Sequence, residues 1–373
     1  MVTISAPRVL LARGLVEPGW VRLAGARVVE VGAGRPAGEV DVCLPEGTLA
    51  PGLVDLHLGG GFGVELATAD EAGWRHLGFG LPGTGVTAYL PALMTAPVEQ
   101  LLAAVARYPT MRAGLEQAGG AQPLGLHLEG PFLSAAEPGL HGPDLLRDPT
   151  PELVDALIGA GSGSVVLVTL APELPGALAA IDRLRAAGVR VSLGHSRASD
   201  RQTLAAVERG ARFVTHLFAD QSSLHQRDPG LVGAALADPR VTVGLVVDRV
   251  EVADTAVRVA FAAAAGRVVL VSDALAPLGT PRPWGTGTRS GADLRLDEAV
   301  ANAIAAGIEP RLALQAASTI PARAIGRPEL GRIVPGARAD LVWLDATWRA
   351  RTTWIAGQPV FDADGLLAPA GAP

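Results

Sequence analysis

No lysine occurs among the 373 residues, and arginine supplies all 31 basic side chains. A phosphate loop of the Walker type, a Schiff-base enzyme and a metal pair bridged by a carboxylated lysine each need a lysine amine, so all three are excluded. Cysteine is almost as scarce. The single Cys43 rules out an internal disulfide and fits a reducing compartment, and it is expected to be a small buried hydrophobe. Aromatic residues make up 4% against 49% hydrophobic, so a core has to be built from Leu, Val and Ala. With a formal net charge of -6 the chain has no basic excess for nucleic acid or an anionic membrane, which points to a small-molecule partner. No apolar run reaches the roughly 18 residues of a membrane span, and no cationic start leads into an apolar stretch at the N-terminus. A cytoplasmic protein is expected.

What is present falls into two textures. Residues 1–50 alternate short apolar runs with Gly and Pro turns ("RVLLAR", "WVRLAG", "RVVEVGAG", "VDVCLPEG"), the pattern of a small antiparallel sheet, and residues 330–373 repeat it. The two ends are therefore expected to pair as one discontinuous β-sandwich domain. Between them, residues 51–329 carry eight apolar strand candidates: "LVDLHL", "VTAYLPAL", "PLGLHLEG", "SVVLVTLAP", "VRVSLGHS", "RFVTHLF", "VTVGLVVD" and "VVLVSD". Ala- and Leu-rich helical stretches separate most of them. The fold class is α/β. A (β/α)₈ TIM-like barrel is the expected architecture, with an open doubly wound sheet as the alternative.

A barrel of this kind does its chemistry at the C-terminal strand ends, and the histidines gather there. Of seven, His57, His127, His195 and His216 close four different strand candidates and His141 follows one, leaving His76 and His225 elsewhere. Glu129 ends "GLHLEG" and shares a strand face with His127. A buried carboxylate needs a cation, either a metal or an arginine. Glu129, His195 and His216 together make a Glu-His-His set with room for a water, the composition of a catalytic zinc site, whereas a structural zinc would want the thiolates this chain lacks. Asp273, ending "VVLVSD", reads either as the N-cap of a following helix or as a general base and acid beside the metal.

These stretches, with "PGLVDLHLGGGFG", "PGLHGP", "DPGLVGAAL" and "AASTIPARAIGRPELGRIVPGARADLVWLD", occur in an order that resembles the N-acetylglucosamine-6-phosphate deacetylases of the amidohydrolase superfamily, over about residues 50–345. The resemblance implies metal-dependent hydrolysis of the acetamide of N-acetylglucosamine 6-phosphate by a metal-activated water. Glu129, His195 and His216 would hold the ion, and Asp273 would serve as general base and then acid. His141 would polarise the substrate carbonyl. One divalent ion is implied, zinc before iron, cobalt or manganese, and so is a homodimer. In the two-metal form of the family the first strand ends in His-x-His. Here Gly59 stands in place of the second histidine, so a single metal is expected, a second would bind weakly or not at all, and His57 becomes a pocket or outer-shell residue or, as the alternative, a ligand to that second metal.

The matching positions depart from the family mainly around the substrate. "FADQ" puts Ala219 and Asp220 where the sugar phosphate lies against Asn-Ala-Met, and Glu251 stands where a substrate-binding histidine is usual. Asp293 and Arg295 fall where small or neutral residues are usual, and the loop from Asp273 to "GTRSGADL" is shorter than usual. Arg227 matches a phosphate-contacting arginine, and Arg249 could compensate for Glu251. A deacylase for a non-phosphorylated N-acyl amino sugar, or for another N-acyl compound, is therefore the alternative. A cyclic-amide hydrolase is disfavoured by the missing lysine, and a non-catalytic barrel by the complete Glu-His-His-Asp set.

Overall fold

The computed structural model describes residues 1–280 and 293–365. The eight apolar runs form the strands β1 Leu53–Leu58, β2 Val86–Met94, β3 Leu126–Glu129, β4 Val165–Leu170, β5 Arg190–Leu193, β6 Phe213–Val214, β7 Thr242–Leu245 and β8 Val268–Leu270. Each pairs parallel with the next. At the seam, β8 returns to β1 through a parallel bridge between Leu58 and Ala274 and a 3.0 Å bond from the Asp273 amide to the His57 carbonyl. The sheet is thus a nearly closed barrel, and the open doubly wound alternative falls.

Parallel neighbours require crossovers, and a helix provides each one. The crossover helices are α1 Glu71–Gly80, α2 Val98–Ala118, α3 Pro151–Ala160, α4 Ala177–Ala186, α5 Asp200–Arg209, α6 Gly230–Ala237 and α7 Asp254–Ala263, and α8 Leu296–Ala305, α9 Pro310–Ala316 and α10 Thr319–Ala324 follow β8. The logic of α5 is local. Ser199 and Gln202 form a capping box at its start, Thr203, Ala206 and Val207 bury one face, and Gly210 ends it in a left-handed conformation. Strands covered by helices are buried on both sides, which is why they read as unbroken apolar runs. The barrel core is overwhelmingly Leu, Val and Ala, with Trp74, Tyr89, Tyr108, Phe132 and Phe213 among its few aromatics. Each fully buried Leu contributes about 1.5–3 kcal/mol.

Strand β6 is shorter than its run. The strand in "RFVTHLF" ends at Val214, single bonds from the Thr215 amide to Leu193 and the Leu217 amide to Gly244 continue past it, and beyond His216 the chain turns through left-handed residues at Phe218 (φ 83°) and Asp220 (φ 47°).

The chain ends build two further sheets. A four-stranded one holds Val2–Ala6, Gly19–Ala24, Arg27–Ala33 and Val42–Cys43, and Cys43, expected to be buried, is exposed on that two-residue edge strand. A six-stranded one joins Arg8–Leu11, Gly14–Val16 and Thr48–Pro51 to the C-terminal Leu341–Leu344, Ala350–Ile355 and Gln358–Asp362. A second buried cluster that includes Ile4, Val21, Leu49, Leu341 and Trp343 belongs to these strands. The purely antiparallel texture expected of the ends is corrected in two places, where Val2–Ala6 pairs parallel with Val42–Cys43 and Arg8–Leu11 with Thr48–Pro51. Those partners are joined by long connections rather than tight hairpins, so their direction is free.

Candidate active site

Glu129 is the last residue of β3 and almost fully buried. His195 and His216 stand just beyond β5 and β6, and Gly194 lets them approach: a Cβ there would lie 2.4 Å from Thr215 Cγ2. Glu129 Oε1 is 3.3 Å from His195 Nε2 and 3.0 Å from His216 Nε2, and the two nitrogens are 3.1 Å apart. His195 Nδ1 lies 3.0 Å from the Glu137 carbonyl and His216 Nδ1 3.2 Å from the Ala219 carbonyl. A carbonyl can only accept, so each Nδ1 carries a proton, and it is each Nε2 that faces the carboxylate and would turn a lone pair to a bound cation. Three lone-pair donors facing one point repel unless a cation sits among them. Ligands about 2.0–2.1 Å from a tetrahedral ion are about 3.3 Å from one another, close to the spacing found. The donor set therefore fits a divalent metal, and no arginine is needed to balance Glu129.

Two overlapping triads could hold an ion: His57 with Glu129 and His216, and Glu129 with His141 and His195. His141 differs in tautomer. Its Nδ1 accepts the Thr95 amide proton at 3.3 Å, which leaves Nε2–H as a donor aimed into the cleft, 3.6 Å from Glu129 Oε2. His57 spans the two carboxylates, with Nε2 3.0 Å from Glu129 Oε2 and 3.3 Å from Asp273 Oδ1, and Nδ1 2.9 Å from Thr215 Oγ1.

Charge is tightly balanced here. Burial would raise Glu129, but the field of His57 and hydrogen bonds from His141, His195 and His216 outweigh it and hold the carboxyl well below the usual range. Burial would lower His216, yet the Glu129 hydrogen bond and the fields of Asp273 and Glu129 push it up to about 10. His57 is raised too, because Glu129 and Asp273 outweigh its burial, while burial lowers His195. In the metal-free protein the two carboxylates thus favour the charged forms of His57 and His216, and an arriving cation would displace a proton held on a ligand nitrogen. Burial raises Asp273.

Beyond the end of β8, residues 274–280 form no helix, so the N-cap reading of Asp273 is overturned. The residue sits instead in a left-handed conformation (φ 52°), as does His195 (φ 46°). Such positions cost about 1–3 kcal/mol and persist where their surroundings over-determine them.

Gly59 answers for the missing second histidine. A Cβ at 59 would lie 2.7 Å from Leu275 Cδ2, so an aliphatic side chain stands where another imidazole would begin. Leu275, with Gly59, Ala92, Met94 and Leu140, lines the apolar side of the cleft. Its polar side is His57, Glu129, His141, His195, His216, Asp220 and Asp273.

Of the expected substrate contacts, Asp220 lines this cleft and Ala219 contributes its carbonyl to His216. Arg227 and Glu251 are exposed and outside the cleft lining. Arg249 pairs with Asp254, and Arg295 is bound to Asp297 at 2.8 Å, away from the cleft. Most of the loop from Asp273 to "GTRSGADL", residues 281–292, lies outside the described residues.

Sequence reasoning missed the supporting shell. Thr95 serves His141, Thr215 serves His57, and Thr169 Oγ1 lies 2.7 Å from the buried His127. It also missed Asp55, whose Oδ1 accepts the amides of His57 at 3.1 Å and Ser272 at 3.3 Å and so ties the barrel seam. The spacing of Asp55 two residues before His57 was the available signal.

Burial pushes the Asp55 carboxyl from 3.8 up to about 6. A group that titrates higher in the folded than in the unfolded chain withdraws stability as pH rises from about 4 to about 6, here about 3 kcal/mol. Asp55→Asn is expected to lose that dependence, so the variant gains on the wild type between pH 4.5 and 7. Denaturant unfolding of the metal-free proteins at the two pH values reads the difference. An unchanged gap would show that Asp55 is not held this way.

A family model described as the amidohydrolase family matches residues 48–364. The N-acetylgalactosamine-6-phosphate deacetylase of Escherichia coli is 35% identical over 331 residues, covering 83% of this chain and 87% of that protein. The N-acetylglucosamine-6-phosphate deacetylase of Rattus norvegicus is 36% identical over 346 residues, covering 85% and 84%. Among solved structures, N-acetyl-D-glucosamine-6-phosphate deacetylase from Mycobacterium smegmatis superposes with a TM-score of 0.90 at 36% identity, over 96% of this chain and all of the other. A mutant of that enzyme in complex with N-acetyl-D-glucosamine-6-phosphate gives 0.89 at 37% identity, over 96% and 99%.

Proposed function

The chain belongs to the amidohydrolase family, and on that premise we propose that it hydrolyses N-acetylglucosamine 6-phosphate to glucosamine 6-phosphate and acetate. The observation that carries the chemistry is the meeting of Glu129 Oε1, His195 Nε2 and His216 Nε2 within 3.3 Å, beside Asp273 and His141 in one cleft. The substrate follows from what the relatives act on.

Glu129, His195 and His216 would hold one divalent ion, zinc in the first place, with Fe2+, Co2+ or Mn2+ able to accept the same donors. When bound, such an ion supplies Lewis-acid polarisation and makes water acidic at neutral pH. The remaining steps belong to side chains. Asp273 takes the proton of the attacking water, and the burial that raises its carboxyl makes it the better base. His141 donates its Nε2–H to the acetamide oxygen as negative charge builds there. Asp273 then hands its proton to the leaving nitrogen as the C–N bond breaks, so the water oxygen ends in acetate and the proton in the amine. Ala92, Met94, Leu140 and Leu275 keep the other wall dry, and Leu275 over Gly59 favours a single ion.

The working form is a cytoplasmic homodimer, with residues 51–329 as the catalytic barrel and 1–50 with 330–373 as the end domain. Arg227 is exposed and outside the cleft of its own chain, so Arg227 of the partner subunit would meet the sugar phosphate. Asp220 in the cleft works against a phosphate, which keeps a deacylase for non-phosphorylated N-acyl amino sugars as the second reading. Acetate release from N-acetylglucosamine 6-phosphate, N-acetylgalactosamine 6-phosphate and N-acetylglucosamine decides between them. The first is expected to give the highest kcat/KM. An equal or higher value on the unphosphorylated sugar would replace the phosphorylated substrate with the second reading.

A further inference from the structure

His195 holds its bare nitrogen on Glu129 from a left-handed backbone, and something must keep it there. Glu173, in the loop that follows β4, is placed to do so. Its Oε2 accepts the Ser196 hydroxyl at 2.6 Å and its Oε1 the Arg197 amide at 2.7 Å, so one carboxylate grips the two residues directly after His195. The grip continues inward. The Ser196 hydroxyl accepts the Ala198 amide at 2.9 Å, and the fully buried Ser196 bridges to Gln221, whose Nε2 donates to the Thr215 carbonyl at 2.8 Å. Thr215 precedes His216 and bonds His57 Nδ1. From the other side Arg197 pairs with Glu137 at 2.6 Å, and the Glu137 carbonyl receives His195 Nδ1. The hydrogen bonds of Glu173 go to Ser196 and Arg197, neither of which lines the cleft.

We propose that Glu173 is a positioning residue: by fixing Ser196 and Arg197 it holds His195 in the one backbone and ring orientation that completes the Glu129–His195–His216 donor set. The inference rests on the metal reading given above. A carboxylate suits the task because it accepts two hydrogen bonds in one plane with no proton of its own to place. Residues that orient ligands from outside the donor set are worth 10- to 100-fold in metal affinity or activity.

The test is zinc affinity by chelator competition on purified wild type, Glu173→Gln, Glu173→Ala and Ser196→Ala, with the thermal midpoint of each metal-free protein and the kcat and KM of each loaded one. Glutamine keeps the shape but turns an amide donor toward a donor, so it covers the case in which alanine does not fold. The expected result is a Kd for zinc weaker by about 10- to 100-fold in the Glu173 variants, a fall in kcat at nearly constant KM, and a metal-free midpoint close to wild type. Glu173→Ala combined with Ser196→Ala should cost less than the sum of the two single changes, because the two share the Ser196–Glu173 bond. Wild-type protein that binds no zinc would overturn the metal reading and this inference together. Wild type that binds zinc, alongside Glu173 variants within twofold of it in affinity and kcat, would overturn this inference alone.

Discussion

Replacing Asp273 with asparagine is expected to lower kcat by about 10²- to 10⁴-fold, the range that positioned proton transfer supplies, while KM and bound metal stay near wild type. The two side chains have the same shape, so the seam contacts survive. The Asp273 amide still donates to the His57 carbonyl, because that bond is made by backbone. What is lost is a proton acceptor whose basicity burial has raised. The contact Asp273 makes in the cluster is with His57 at 3.3 Å and not with Glu129, His195 or His216, which is why metal should remain. Steady-state kinetics with elemental analysis of the same preparation checks both halves. Retained kcat would remove Asp273 from the proton path, and a loss of metal in step with activity would recast it as a ligand.

Glu129→Gln should act the other way, through binding. Glu129 faces four imidazoles, and its charge favours the protonated forms of His57 and His216. Without that charge both histidines fall back toward neutrality and the ion loses its one anionic ligand. Zinc affinity should drop by more than the 10- to 100-fold that outer-shell partners are worth, and activity should vanish with it. The metal-free variant should also be less stable at neutral pH, because His57 and His216 lose the partner that favours their charged forms. Titration with zinc and denaturant unfolding measure the two effects. A variant that binds zinc as tightly as wild type would show that the carboxylate is not a ligand.

The parts of this molecule that were readable in advance share a physical cause. Strands covered on both faces must be apolar throughout, so β1 to β8 stood out as runs in the sequence, and the histidines that interrupt the ends of those runs marked the rim. Glu129, His141, His195, His216 and Asp273 all line one cleft in the structure.

What stayed hidden is carried by backbone or by ordinary side chains. The tautomers of His195 and His216 are set by the carbonyls of Glu137 and Ala219, and a carbonyl leaves no trace in residue identity. Left-handed turns at His195, Asp220 and Asp273 use no glycine to announce themselves. Thr95, Thr169, Thr215 and Glu173 look like any loop or strand residue until the barrel curls and brings the threonines to the imidazoles and Glu173 to the two residues after His195. The parallel pairs in the end sheets were missed for a related reason, since short alternating strands say which face is buried but not which direction a partner runs.

Acetate release from N-acetylglucosamine 6-phosphate, followed on one preparation as purified, after chelation and after return of one equivalent of Zn2+, tests metal-dependent deacetylation most directly. Activity should disappear on chelation and return with the single equivalent. Undiminished acetate release from protein that elemental analysis shows to be stripped of metal would contradict it.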